Sequence, residues 1–383
     1  MIKKKIGIAA LCTVVIGGLA PMTAMASNPE FARSTEEWDR LQDNVLEYGE
    51  IADLIQEYNS TVQSNQYDYQ KFLKDYGRTR EDIAEAYRDL ADDLESEMTG
   101  EEGMAMVSDF QLEQQARQLR EQADNYIDDS RIQYLNYSKA EDNLTMSAQS
   151  CFISYYRNQL ELSMANEDMQ QLNQEVSVAE LQRQAGMLTE PELLEMQESV
   201  MRQEKAVSEA EEKIENSRQT LIVLCGWKNS DTPEISEVPA VDMSEIEAID
   251  LAADRQAAVE NNYTVQINSR KLENAMNADQ KESIQRTIDG NIRQVGVSLT
   301  SAWQSLQSAK RSYEQALSEE TASERNLELA GQKRSAGMIT EYDYEAACLD
   351  LAKKQDTVQS THLDLLEALE VYHWNVNGMA SAE

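Results

Sequence analysis

The sequence predicts an all-α protein: long antiparallel coiled-coil helical hairpins in two tandem structural repeats, with little or no β-sheet. Three observations carry this expectation. Residues 144–225 recur as residues 295–376, an offset of 151 positions. Apolar residues in both copies keep 3/4 spacing over several heptads, the signature of coiled coils. Glycine and proline are confined to a few short places, which leaves long stretches free of helix breakers.

The duplication is clearest at a bend. RQAGMLTEPE (183–192) faces RSAGMITEYD (334–343), with Glu192 opposite Asp343. Before the bend, Ala148, Cys151, Tyr155, Leu162, Ala165, Val176 and Ala179 correspond to Leu299, Ala302, Leu306, Tyr313, Ala316, Leu327 and Ala330. After it, Leu193, Met196, Val200, Val207, Ile214 and Leu221 correspond to Tyr344, Ala347, Leu351, Val358, Leu365 and Tyr372. Upstream, YNSTVQSN (58–65) matches NNYTVQIN (261–268), which extends the repeat.

No glycine or proline occurs in residues 104–185, 192–225, 240–289, 297–330 or 338–377. Each stretch reads as a rod, because a helix rises about 1.5 Å per residue. The expected organisation is a leader at 1–26, a first hairpin repeat at 27–225, a linker at 226–241 and a second hairpin repeat at 242–383. Thr61 to Gly186 spans 125 residues but Thr264 to Gly337 only 73, so the first repeat carries about 52 extra residues. They fall within about 70–140, are highly charged and read as an added helical hairpin at the end away from the Gly186 bend.

Lys3, Lys4 and Lys5 precede an apolar run from Ile6 to Ala20, and Ala24-Met25-Ala26 supplies small residues for cleavage. This is the pattern of a secretory signal peptide, cut before Ser27. The net charge is −36, and loss of the three leader lysines makes it −39. Such acidity argues against nucleic acid and against anionic lipid surfaces. Cys151, Cys225 and Cys348 remain after cleavage, an odd count without CxxC spacing. The only histidines, His362 and His373, stand apart from any cysteine or carboxylate constellation. No enzyme activity, catalytic residue, metal or cofactor is therefore expected.

The twofold repeat, the G-x-x-T-x-x-[DE] bend in each half (Gly186/Thr189/Glu192 and Gly337/Thr340/Asp343) and the LCGW ending of the first half (224–227) together resemble the TolC family of outer membrane efflux proteins. The resemblance covers about residues 36–378. It implies a homotrimer whose helices form a hollow α-barrel. It further implies partnership with a membrane-fusion, periplasmic adaptor-like protein and with an inner-membrane or ABC-type exporter. The bends would lie at the tapered end, where the pore constricts and the adaptor docks. Gly186, Thr189, Glu192, Glu195, Gly337, Thr340 and Asp343 are the candidate residues there.

One departure stands out. Members that cross an outer membrane carry two β-hairpins per chain, which here belong at 61–140 and 264–297. Only GMAMVSDFQL (103–112) and IRQVGVSL (292–299) alternate as strands do, one strand's worth each. The chain therefore reads as all-helical, without a barrel competent to insert in a bilayer. Two functions are open at this stage: an export duct component of the cell envelope, in the outer membrane where there is one, or a secreted structural or adaptor coiled coil without a channel.

Overall fold

The computed structural model describes residues 33–98 and 104–382. The expected leader at 1–26 lies outside them. The chain divides into two units between Asp43 and Asn44. The first contains α1 (Thr35–Leu41), whose Ser34 and Glu37 form a capping box, the Glu37 carboxylate accepting from Ser34 N at 2.6 Å.

Among its described residues the second unit is mainly helical, with one short parallel strand pair and an irregular linker between the halves. It runs from β1 (Val45–Leu46) through a single 3-10 turn (Tyr48–Glu50) to α2 (Ile51–Tyr58) and α3 (Ser60–Tyr76). Next come α4 (Arg80–Ser96), α5 (Met104–Asn125), α6 (Ser130–Gln184) and α7 (Glu190–Leu224). β2 (Glu234–Ile235) pairs with β1 in the register Val45 to Glu234 and Leu46 to Ile235. The second half has α8 (Met243–Ala248), α9 (Leu251–Asn261), α10 (Tyr263–Asn274), α11 (Ala278–Ser335) and α12 (Glu341–Trp374), then a π turn (Asn375–Met379). No helix among the described residues is long and apolar enough to cross a membrane.

In their described residues, 104–112 and 292–299, both windows that alternate like strands are helix. Val107 and Phe110 stand exposed on α5, while 292–299 lies inside α11. The reason is visible in α11: Val295, Leu299, Ala302 and Leu306 are buried at 3/4 spacing, whereas Val297, on the same face of a hypothetical strand, is 60% exposed. The helical period overrides the apparent alternation because it extends far beyond the eight-residue window.

Several breaks between helices contain neither glycine nor proline. They are made by Asn or Asp side chains that accept from the first amides of the next helix. Asp129 accepts from Ile132 N, Asp250 from Ala252 N, Asn262 from Val265 N and Asn277 from Gln280 N. Asn59 and Asn262 are repeat mates and do a second job. Asn59 Nδ2 donates to Leu224 O at 2.8 Å, and Asn262 Nδ2 donates to Gly378 O at 3.1 Å. Gln63 and Gln266 likewise both reach back, to Glu57 O and Glu260 O. The YNSTVQSN-like motif is thus a repeated joint between a short helix and the end of a long one.

The extra residues of the first half form the α4–α5 hairpin. Its stem is pinned where Ser130 N and Oγ both donate to Arg78 O, at 3.2 and 2.8 Å. The buried Asp129 beside it accepts from Arg270 Nε at 2.6 Å and Asn274 Nδ2 at 3.1 Å. Along the hairpin, Ile83, Ala84 and Ala91 of α4 and Ala116 and Ala123 of α5 are buried, and Arg120 bridges back to Asp92 and Glu95.

The four long helices lie in the order α7–α6–α12–α11. α6 and α11 have 55 and 58 residues, each more than 80 Å long at about 1.5 Å per residue. α6 and α12 are antiparallel, tied by Arg157 to Asp364 (2.8 Å), Asp168 to Lys353 (2.9 Å) and Gln174 to Glu345 (3.3 Å). Apolar contact between Ile153 of α6 and Leu363 and Leu366 of α12 joins the halves. An extended apolar cluster fills the second half, from Val295, Leu299 and Leu306 of α11 to Leu365, Leu369 and Tyr372 of α12.

Candidate functional site at the helical bends

Because α6 and α12 run antiparallel in this register, the α6–α7 and α11–α12 bends lie at the same end of the second unit. Both are built by one plan. At the end of α6, Gly186 N donates to Arg183 O (3.0 Å) and Met187 N to Gln182 O (2.8 Å). At the end of α11, Gly337 N donates to Arg334 O (2.9 Å) and Met338 N to Lys333 O (2.8 Å). These crossed bonds make a Schellman motif, which needs a left-handed residue after the cap. Gly186 and Gly337 both supply it with φ +70°. No atom lies within 4 Å of where their Cβ atoms would be, so backbone conformation alone calls for glycine.

Thr189 and Thr340 then start the next helices. The Glu192 carboxylate accepts from Thr189 N (2.8 Å) and Oγ1 (2.6 Å). Asp343 accepts from Thr340 N (2.9 Å) and Oγ1 (2.7 Å), and its own amide donates to Thr340 Oγ1 at 3.1 Å. The threonine hydroxyl first, and its amide second, hold both carboxyls below the usual range. They are therefore fixed negative charges at helix N-termini, where the dipole favours them. Pro191 in the first turn of α7 adds a backbone already set for helix.

The seven residues singled out by sequence all lie at this end. The structure brings Thr189 to Glu192 and Thr340 to Asp343 as paired caps. Glu195 takes no part in capping; its side chain is exposed on the first turns of α7. Other residues complete each bend. Arg183 pairs with Glu190 (3.2 Å) and Arg334 with Glu341 (2.7 Å), and the Arg334 guanidinium sits 4.4 Å from the Tyr344 ring centroid. Met187 and Met338 crown the bends, 78% and 76% exposed. These residues were legible as part of the identical R-x-x-G-M-x-T-E string, whose arginine and methionine the bend geometry now explains. An exposed, flexible thioether on a rigid turn is an adaptable apolar contact.

No family model and no curated protein matches the chain. Solved structures do. The outer-membrane channel OprN aligns with TM-score 0.54 and 10% identity over 89% of this chain and 92% of its own. A membrane protein from Pseudomonas aeruginosa aligns with TM-score 0.54 and 10% identity, over 86% and 93%. CusC, studied for its folding and transmembrane channel formation, aligns with TM-score 0.52 and 10% identity, over 86% and 92%. The chain therefore has the fold of outer-membrane channels such as OprN.

Proposed function

We propose that this protein is a non-enzymatic export duct component of the cell envelope, and that copies of it stand side by side as a hollow helical tube. The observation that carries this reading is the α7–α6–α12–α11 row with both bends at one end. A row, unlike a closed bundle, leaves two edge helices. Met201 and Val223 are exposed on α7, and Val297, Leu317 and Leu329 on α11. Apolar side chains along an edge favour a covering partner. A second copy set edge to edge supplies α11 to α7, and three copies bring twelve long helices into the wall.

At the bend end, Glu192, Glu195 and Asp343 would then ring the narrow mouth with carboxylates, a potential that draws cations and repels anions. The Met187 and Met338 crowns beside them suit the helical hairpins of a membrane-fusion adaptor, which in turn joins an inner-membrane or ABC-type exporter. Helices occupy the described parts of the windows where a membrane barrel's strands are expected. That supports a tube which meets an outer bilayer rather than inserting through it.

Light scattering with negative-stain imaging of residues 27–383 tests the reading. A trimer with a central channel, alone or on adding the adaptor, supports it. A monomeric rod under both conditions overturns it and leaves a structural coiled coil.

A further inference from the structure

Among the described residues, two of the thiols, Cys151 and Cys225, lie on the two sides of the first hairpin. α6 and α7 are antiparallel, and their register is fixed by polar contacts. Asn158 Nδ2 donates to Lys213 O and to Ser217 Oγ, 3.2 Å each, and Gln203 Nε2 donates to Ala165 O at 2.8 Å. Asn158 is bracketed by Lys213 and Ser217, which puts Cys151 opposite about residue 222, so Cys225, the residue that ends α7, lies within about one helical turn of its level. Cys225 is buried one turn beyond the buried Leu221, and Cys151 is half-buried beside the buried Phe152. The Cys225 thiol is close enough to respond to the charge of Cys151.

The corresponding positions of the second half are apolar. The 151-residue offset carries Cys151 to Ala302 and Cys225 to Val376. Both pack in one apolar cluster.

We propose that Cys151 and Cys225 form an intrachain disulfide site, which locks the end of α7 onto α6. The oxidant is a small or protein disulfide met outside the cytoplasm. The Cys151 thiolate attacks one sulfur of the donor, forming a mixed disulfide and releasing the first donor thiolate. Cys225, deprotonated in turn, attacks the Cys151 sulfur and releases the second. Two protein thiols lose two electrons and two protons, and the donor leaves as two thiols. Burial, and after it Cys151, pushes the Cys225 thiol up to about 12, and burial raises Cys151 as well. The exchange therefore quickens with rising pH and suits a catalysed donor.

Cys348 is a built-in control. It sits near the start of α12, opposite about residue 172 of α6 and so roughly 30 Å along the helix axes from the pair. The proposal does not depend on the duct reading, because its test needs only the folded chain.

Residues 27–383, folded, are incubated with oxidised glutathione at mildly alkaline pH, alkylated and mapped by mass spectrometry. Two of three thiols should vanish, a Cys151–Cys225 linked peptide should appear, and Cys348 should remain alkylated. The oxidised form should melt roughly 5 °C above the reduced one. Cys225→Ala should halt at a glutathione adduct on Cys151. Three persistent thiols, a bond to Cys348 or to another chain, or a wild-type protein stalled as the mixed disulfide would each overturn the proposal.

Discussion

Gly226 lies so close to Tyr58 that a Cβ on it would stand 2.3 Å from the Tyr58 Cβ. Its φ is +96°, a region that side chains avoid. The second half repeats the arrangement, with Gly378 at φ +112° and its Cβ position 2.5 Å from Asn261 O. Each glycine closes the joint that Asn59 or Asn262 caps. Gly226→Ala and Gly378→Ala must meet both the backbone strain and the collision, and each should cost about 3 kcal/mol. The urea midpoint should fall with little change in slope.

The bend glycines should behave differently. Nothing surrounds the Cβ positions of Gly186 and Gly337, so Gly186→Ala or Gly337→Ala should cost only the left-handed backbone term, about 1 kcal/mol. A loss as large as at Gly226 would contradict the open geometry.

Acid should loosen the bends selectively. The folded pKa values of Glu192 and Asp343 are lowered, so their caps contribute fully above the ordinary carboxylate range. That contribution fades as pH falls through the lowered values. Amide exchange around residues 338–343, followed against pH, should show this protection disappear on acidification. Thr340→Val should remove the effect there and leave the α6–α7 bend unchanged.

The seam between the halves should respond to pH in the opposite sense. Asp356 of α12 is only 6% exposed, and among the described residues neither its Oδ2 nor Glu167 Oε2 of α6 has a hydrogen-bond partner. Burial raises both carboxyls, and Asp356 adds to the rise at Glu167, which Lys353 partly offsets. A raised folded pKa gives stability that is present at low pH and lost as pH rises through it. Asp356→Asn should raise Tm by a few degrees at neutral pH and by little in acid, flattening the profile.

Core and exposed positions two residues apart on α11 separate folding from assembly. Leu299→Ala empties a buried site and should cost 2–5 kcal/mol, by the usual range of about that size for leucine truncation. Val297→Asp, exposed at the groove between α11 and α12, should change monomer stability by less than about 0.5 kcal/mol. Sedimentation should nevertheless show it shifting any assembly toward monomer.

Much of this fold is written plainly. The 3/4 spacing and the repeated R-x-x-G-M-x-T-E string locate the long helices and their bends, since sustained periodicity leaves little choice of conformation. The breaks at Asp129, Asn262 and Asn277 are harder to see. They use side-chain caps rather than glycine or proline, and an Asn or Asp in a polar helix face looks the same until its neighbours fold. The alternation at 292–299 misleads because eight residues can satisfy both periods at once. At the bends, the glycines, threonines and acids are legible as local turn chemistry. The exposure of Met187 and Met338 is not, because it depends on the length by which each bend clears its neighbours.

The hydrogen-bonded stem between Arg78 and Ser130 belongs to only one of the two halves. The second unit therefore has two bends of one plan at one end, but an α4–α5 hairpin on only one of its halves. The end of the second unit away from the bends is thus unlike in its two halves, an asymmetry that duplication alone could not have made.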